Sequence, residues 1–421
     1  MSVDGARQVR IEKLAPTGEG IVRSPDGVGF VDGALPGELV ATTLYEVRKR
    51  FWRGSLRAVI EPSPDRVEGP HSGCAGCDWA HFDPAAARAA KRELFLETMQ
   101  RIGKLDPAAF GALPIAASPP GYRLRARLHA AGGEPGYFAP GTHRVVSASA
   151  CEAIAASTRA LLPGTGEVIR STGAAVSELA TLEDLPGDRR LVRATVSGDP
   201  ARAAELGLAL SALFQGVRVV DADGKKMLER GARFLDLVVG GRAFDVSVDS
   251  FFQGNRFLAP TLFADVLAAA GGLAPGTALD AFGGVGLFAG ALAEAGHGVV
   301  SVEADAEAVV DARRTKDRWK DGEGWQIEGP TTLARFLQED DRRFGCVVAD
   351  PPRTGLGAEL ARDLARRSEA LFLYVSCDPA TLARDLPAIL ADGFRIRDAR
   401  LYDLFALTHR VEALIALERA A

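Results

Sequence analysis

The 421-residue sequence holds no uninterrupted apolar run of about 18 residues, the length a membrane-spanning helix needs. The opening MSVDGARQVR also lacks the apolar core of a secretory signal, so the chain is expected in the cytoplasm with no membrane partner. Cysteine is scarce and odd in number: Cys74, Cys77, Cys151, Cys346 and Cys377. That count, three in the first half and two in the second, suits metal or catalytic use better than disulfides, and each cysteine needs a separate explanation. There is no surplus of positive charge, the formal net charge being -5. A surface wrapped throughout in nucleic acid is therefore disfavoured, and any such partner must be met by local charge. No repeat of fixed period and no low-complexity tail is visible.

What is present is enough for more than one core, with 47% hydrophobic and 25% charged residues. Residues 7 to 62 read as short alternating strands broken by Gly and Pro (VRIEKLA, GEGIVRS, VGFVDGALPGELVATTLYEVRK, RGSLRAVIEPSP), which predicts a small β-barrel over residues 1–62. Residues 63–240 are expected to form a central α+β domain that begins with Cys74 and Cys77, with about 85–120 packing on the last domain. From 241 to 421 strand and helix alternate: TALDAFG and a helix to Ala295, GVVSVEA and a helix to Trp319, CVVADPP and a helix to Arg367, ALFLYVSC and a helix to Ala391. Such βα units predict a Rossmann-like parallel sheet covered on both faces. Two basic stretches, RKRFWRGSLR (Arg48 to Arg57) and YRLRARLH (Arg123, Arg125, Arg127), interleave cations with aromatics, a composition that suits phosphates and stacked bases or, equally, a solvated strand face over a core.

In ALDAFGGVGLFAG, Asp280 ends a strand and Gly283, Gly284 and Gly286 make a tight turn into a helix. Such glycines let a ligand approach the backbone. Glu303 ends the next strand, where a carboxylate can accept from both hydroxyls of a ribose. The glycines do not give G-x-G-x-x-G, which disfavours NAD and favours an adenosine-bearing methyl donor. Cys377 follows the apolar strand ALFLYVS and precedes DPATLARDL, where Asp378 and Pro379 look like the cap and first turn of a helix. A thiol at a helix start is expected to ionise more easily. Cys346, inside GCVVAD, reads as a buried structural cysteine.

SCDPATLARDL resembles the nucleophile motif of the bacterial 5-methyluridine RNA methyltransferase family, whose members act on ribosomal or transfer RNA. FFQGN resembles a cofactor-site motif of that family, DAFGGVGLF its glycine loop, DPPRTGL its fourth-strand motif and LTHRVEAL its final motif, all in order. The N-terminal segments GEGIVRSPDG and FVDGALPGELV resemble the TRAM domain, an RNA-binding barrel. The likeness covers nearly the whole chain. It implies that Gln253, Phe282, Glu303 and Asp350 contact S-adenosylmethionine, that Cys377 is the nucleophile and that Glu412 is the base. Uracil carbon 5 is a poor nucleophile; adding a thiolate to carbon 6 loads electrons onto carbon 5, and a carboxylate must then remove the carbon 5 proton. Arg353 is placed to pair with a phosphate or a base oxygen. Asp378 departs from the pattern, where Asn is expected.

The resemblance also implies a four-iron four-sulfur cluster held by four cysteines. Cys74 and Cys77 match the paired ligands and Cys151 the distant one, but Gly69 stands where the remaining cysteine belongs. Three thiolates can hold a cluster with a non-protein ligand. A zinc site completed by His71 or His81, or a site without metal, are the alternatives. For the whole protein the alternatives are an RNA cytosine-C5 methyltransferase, disfavoured because Pro351 and Pro352 are followed by Arg353 where a Pro-Cys pair is expected, and a non-catalytic RNA-binding iron–sulfur protein. The expected partner is RNA, ribosomal before transfer, bound by a monomer.

Overall fold

A computed structural model describes residues 6–24, 27–69, 76–139 and 141–420. Strands β1 (Ala6–Arg10), β2 (Lys13–Leu14), β3 (Gly20–Ser24), β4 (Gly27–Asp32), β5 (Leu39–Val47) and β6 (Phe51–Glu61) form one sheet in the order β1-β5-β6-β4-β3-β2. Alternation of apolar and polar residues gives it a core of its own, with Ile11, Val22, Val31, Val40 and Trp52 buried together. Arg48, Lys49 and Arg50 stand exposed at the β5–β6 turn, while Arg53 pairs with Glu19. The aromatic–basic stretch thus divides: Trp52 is core, and the turn before it carries exposed charge, of which Arg48 pairs with Glu46 at 2.9 Å.

Helix α1 (Pro84–Arg101) starts at Asp83, whose carboxylate accepts from Ala85 N and Ala86 N, with Pro84 in the first turn. It buries Phe95 and Met99 among residues of the C-terminal half. A two-residue strand β7 (Ile115–Ala116) follows. The central sheet comprises β8 (Arg125–His129), β9 (Gly136–Phe138), β10 (Val145–Ser147), β11 (Ala175–Glu183), β12 (Arg190–Ser197), β13 (Gly216–Val220) and β14 (Lys226–Gly231), ordered β10-β9-β8-β11-β12-β13-β14. Helices α2 (Ala156–Arg159), α3 (Leu162–Thr172) and α4 (Pro200–Leu210) accompany it, and Leu162, Ile169, Leu206 and Leu210 share a core with Leu128, Leu179 and Val192 of the sheet. The hairpin β15 (Phe234–Val239) and β16 (Arg242–Ser247) spans the division expected near residue 240 and buries Leu235, Leu237 and Phe244 with the C-terminal core.

The C-terminal body begins with α5 (Ala259–Ala270) and then alternates β17 (Thr277–Asp280), α6 (Leu287–Glu294), β18 (Gly298–Val302), α7 (Ala306–Arg318), β19 (Trp325–Glu328), α8 (Leu333–Glu339), β20 (Phe344–Ala349), α9 (Ala358–Arg367), β21 (Ser368–Ser376) and α10 (Pro379–Leu390). Two further strands, β22 (Phe394–Tyr402) and β23 (Glu412–Arg419), complete an eight-stranded sheet ordered β19-β18-β17-β20-β21-β23-β22-β7. The first five strands run parallel, as the βα rhythm predicts. β23 instead runs antiparallel between β21 and β22, and β7 from the first third of the chain closes the far edge. No helix among the described residues is long and apolar enough to cross a membrane.

Candidate active site

Parallel strands bring their carboxyl ends to one edge of a sheet, and in open α/β folds that edge binds the ligand. Here it collects Asp280 at the end of β17, Glu303 after β18, Asp350 after β20 and Cys377 after β21. Because β23 is antiparallel to β21, with Ala413 opposite Ser376, its first residue, Glu412, arrives at the same edge beside Cys377. The spacing along the sequence could not show this; the register does.

The glycine turn is fixed by sterics. Gly286 caps α6 with φ 97°, and a Cβ there would stand 2.2 Å from the Trp325 ring. Gly284 N donates to Glu303 Oε2 at 2.8 Å, and Asp305 N donates to Oε1 at 2.6 Å, so the Glu303 carboxylate is oriented against the turn. Phe282 lies half-buried beside it. Gln253 comes from the segment after β16 and donates from Nε2 to Asp350 Oδ2 at 2.9 Å. All four residues expected to contact a nucleoside cofactor thus lie along the carboxyl edge or bond to it. Asp280 joins them: its Oδ2 accepts from Ala289 N at 3.0 Å, while its buried Oδ1 has no hydrogen-bond partner.

Electrostatics at this edge run against ionised acids. Burial pushes the Asp280 carboxyl up to about 8, the Ala289 N–H pulling it back and Asp350 and Glu303 pushing further. Burial likewise pushes Asp350 up to about 7 against the Gln253 hydrogen bond. Glu412, 3% exposed and with Oε1 unpartnered, is held well above the usual carboxylate range by burial and by Asp350, against the pull of Arg353. Cys377 does not behave as a helix-start thiol. Asp378 is the cap of α10, accepting from Ala380 N and Thr381 N, so Cys377 stands one residue outside the helix. Burial, Glu412 and Asp350 push its thiol up to about 11, and the charge of nearby Arg353 opposes them only in part. The expectation of easy ionisation is corrected accordingly. Asp378 spends its carboxylate on the helix cap. Cys346, fully buried in β20, is pushed up to about 12 by its apolar surroundings and is structural.

A cleft of about 520 Å³ opens beside this edge, between the central sheet and the C-terminal body, lined among others by Gln253, Arg353, Arg410, Arg125 and His409. Its floor is the loop between β22 and β23, which other segments hold in place. Lys91 Nζ donates to Asp403 Oδ1 at 2.5 Å and to the Phe405 carbonyl at 3.3 Å, Asn255 Nδ2 donates to the Leu404 carbonyl at 2.9 Å, and Tyr122 Oη donates to the Ala406 carbonyl at 3.0 Å. From the cysteine segment, Trp79 N donates to the Leu407 carbonyl at 2.9 Å and Asp78 bonds both the backbone and the ring of His409. The pairing of His409 with Asp78 had no signal in the sequence, since more than three hundred positions separate them.

Of the cysteines expected at a metal, Cys74 lies outside the described residues, as does His71. Cys77 and Cys151 are both buried and meet: a hydrogen bond from the Cys77 thiol, outweighing burial, brings Cys151 down to about 6. His81 is kept neutral by burial, its pKa lowered to about 4, and its Nε2 has no hydrogen-bond partner. Among the described residues no group of three or more His, Cys, Asp or Glu side chains is placed to hold a metal ion.

A glycine turn facing a carboxylate after the next strand, with acids and a thiol along the same edge, defines an α/β enzyme that binds a nucleoside-bearing cofactor beside a cysteine. The tRNA (uracil-5-)-methyltransferase family profile matches residues 333–420. A Streptomyces avermitilis protein described as an uncharacterized RNA methyltransferase is 33% identical, over 98% of this chain and 98% of its own length. The 23S rRNA (uracil(1939)-C(5))-methyltransferase RlmD of Halomonas elongata is 31% identical over 99% of this chain and 90% of its own. In fold, the chain is similar to the Pyrococcus abyssi tRNA (uracil-54, C5)-methyltransferase crystallised with S-adenosyl-L-homocysteine, with TM-score 0.78, 22% identity and coverage of 97% and 99%. The chain belongs to the RNA uracil-C5 methyltransferase family, whose members depend on S-adenosylmethionine. That membership sets aside the cytosine-C5 and non-catalytic alternatives.

Proposed function

We propose that the enzyme methylates carbon 5 of a uridine in ribosomal RNA through a covalent bond between Cys377 and carbon 6 of the base, with Glu412 as the base that completes the reaction. The observation that carries this reading is the β21–β23 register, which sets thiol and carboxyl side by side at the ligand-binding edge. Gln253, Phe282, Glu303 and Asp350 would hold S-adenosylmethionine, which when bound supplies an electrophilic methyl group. The residues fit such a ligand: acids with raised pKa and an unpartnered oxygen suit a cation, and Glu303 is set against the turn where a ribose would lie.

The Cys377 sulfur adds to carbon 6, and the electron pair displaced to carbon 5 takes the methyl group. Carbon 5 then bears both methyl and proton. Glu412 removes that proton, and the returning pair re-forms the ring double bond as it expels the Cys377 thiolate. A carboxyl held high by burial is a stronger base once ionised than an ordinary carboxylate, which suits it to removing a carbon-bound proton alpha to the ring carbonyl. Arg353, whose charge pulls the Cys377 pKa down, favours the thiolate on each side of the cycle. Glu412→Gln should therefore trap RNA, already methylated, on Cys377 as a band stable to denaturing gels, and Cys377→Ala should give none. Native turnover by Glu412→Gln, or absence of the labelled adduct, would remove Glu412 from its role and turn attention to His409.

Ribosomal RNA is favoured over transfer RNA because the near full-length relative from Halomonas elongata is named for it; mapping methylated nucleosides by mass spectrometry in cells with and without the protein decides. In this reading the N-terminal sheet is a TRAM-type module whose β5–β6 turn meets RNA, and the enzyme works as a monomer in the cytoplasm. Cys74, Cys77 and Cys151 would hold a four-iron four-sulfur cluster with a non-protein ligand on the remaining iron. The meeting of two buried thiols, one of them readily ionised, fits a soft metal site. Gly69 contributes no ligand, and a Cβ there would stand 2.9 Å from the Ala80 carbonyl oxygen. Protein purified without oxygen should contain iron and acid-labile sulfide; zinc alone, or no metal, would end the cluster assignment and leave the methylation reading intact.

A further inference from the structure

We propose that strand β8 carries the RNA chain next to the target nucleotide, Arg125 and Arg127 binding successive phosphates and the His129–Phe138 pair stacking a base beyond them. The inference rests on the reading of the protein as an RNA methyltransferase and names the surface that the substrate follows.

Strand alternation sets the surface up. Along RARLH, Ala126 and Leu128 turn into the core beneath the sheet, so Arg125, Arg127 and His129 project from the opposite face. Arg125 and Arg127 line the cleft that also holds Gln253, Arg353 and Arg410. Their positions, two residues apart on an extended strand, are separated by about 6.6 Å, the order of the distance between neighbouring phosphates on an extended single strand.

The charges on this face are not all consumed within the protein. Arg193 and Arg218 share Asp249 at 2.9 and 2.7 Å, and Arg127 approaches Glu178 at 3.5 Å only in competition with Arg193, which holds the same oxygen at 2.8 Å. Arg125 has no ion pair among the described residues. Its Nη2 donates to the Val248 carbonyl at 3.0 Å, but its Nη1 is buried without a hydrogen-bond partner. A desolvated guanidinium with an unused donor beside a second arginine is unfavourable until an anion with oxygen acceptors arrives, and a phosphodiester supplies two. The side chain stays charged to receive it: burial and Arg127 lower its pKa only to about 10.

Farther along the same face the chemistry changes from charge to rings. His129 stacks on Phe138 at 3.6 Å between centroids and 10° between planes, and His143 meets Phe138 edge-on at 5.3 Å. This ladder lies toward β10, the outer strand of the sheet. Phosphate-binding cations followed by an aromatic stack are the combination by which single strands are held without regard to sequence.

The test uses the full chain, a fluorescein-labelled oligouridylate read by polarisation, and inorganic polyphosphate as competitor. Arg125→Gln with Arg127→Gln should weaken oligouridylate about tenfold and lower the slope of log K against log salt by about 1.4, at ~0.7 per phosphate contact. Lysine at both positions should restore the slope, and calorimetric affinity for S-adenosylmethionine should be unchanged, which verifies folding. Phe138→Ala should weaken oligouridylate roughly tenfold and leave polyphosphate binding alone. Unchanged affinity and slope in the arginine variant, or a Phe138→Ala variant that affects both probes alike or neither, would overturn the proposal. Failure of the wild-type chain to methylate any cellular RNA while oligouridylate binding persists would sink the methylation reading instead and leave this surface standing.

Discussion

Burial, Glu412 and Asp350 together push the Cys377 thiol up to about 11, so the free enzyme keeps this thiol protonated at neutral pH, and the proposed attack on the base would need Arg353 and bound substrate to release it. Alkylation of Cys377 by iodoacetamide should accordingly be slow near pH 7 and rise with pH until about 11. Arg353→Gln should move that profile upward and reduce kcat about a hundredfold, the effect of removing one charge-stabilising donor from a site of this kind. An unshifted alkylation profile would show that Arg353 does not hold the thiolate. At this scale the sequence was legible as chemistry but not as environment. Cys377 and Glu412 stand out in SCDPATLARDL and LTHRVEAL, yet the helix-start argument had the sign of the Cys377 shift wrong, because it weighed the helix and not the burial of the thiol, nor the two acids brought beside it by β20 and β23.

Four of the five βα units from β17 to α10 were readable because β17, β18, β20 and β21 are apolar runs; β19 (WQIE) and the short α8 went unread, since that strand has no apolar run. Two pairings escaped as well. β23 enters antiparallel between β21 and β22, and β7 closes the sheet from a point nearly three hundred residues upstream; neither pairing leaves a periodic trace. The loop between β22 and β23 was equally illegible, since its grip comes from α1, from the cysteine segment and from Asn255. Its firmest anchor is the Lys91–Asp403 pair, both side chains almost fully buried. Removing one partner strands the other charge, so Lys91→Met should destabilise the fold by about 3–5 kcal/mol in denaturant unfolding, and adding Asp403→Leu should recover most of it. A single substitution costing under about 1 kcal/mol would place the pair among weak surface bridges instead.

Across the whole molecule the raised acids of the cofactor edge set a pH dependence. Asp280 and Asp350 move from an ordinary 3.8 to about 8 and about 7, so the folded state holds protons that the unfolded chain has released. Their contribution to stability is therefore full below the unfolded value and is lost as pH rises through about 7 and 8. Acids lowered by arginine partners, such as Asp184 and Asp321, act in the opposite sense and only below their unfolded values. His81 and Cys151, lowered to about 4 and about 6, also act in the opposite sense, the first between about 4 and 6.5 and the second between about 6 and 9, so the raised acids are isolated by comparing variants and not by a choice of pH. Relative to the parent protein, Asp280→Asn should remove part of any loss of Tm between about pH 5 and 8, and S-adenosylmethionine should protect most at the alkaline end. A Tm profile unchanged in shape by Asp280→Asn would contradict the assigned shift.

The place of β23 between β21 and β22 also orders events in time. During synthesis the Cys377 thiol emerges first, then the strand that will lie two places away from it, and only afterwards the strand that lies between them carrying Glu412. Until that last strand is in place the sheet has a gap where Glu412 belongs. A nascent chain halted before β23 carries Cys377 without Glu412, so under the proposed mechanism the insertion that completes the architecture is also the event that lets the enzyme release its product.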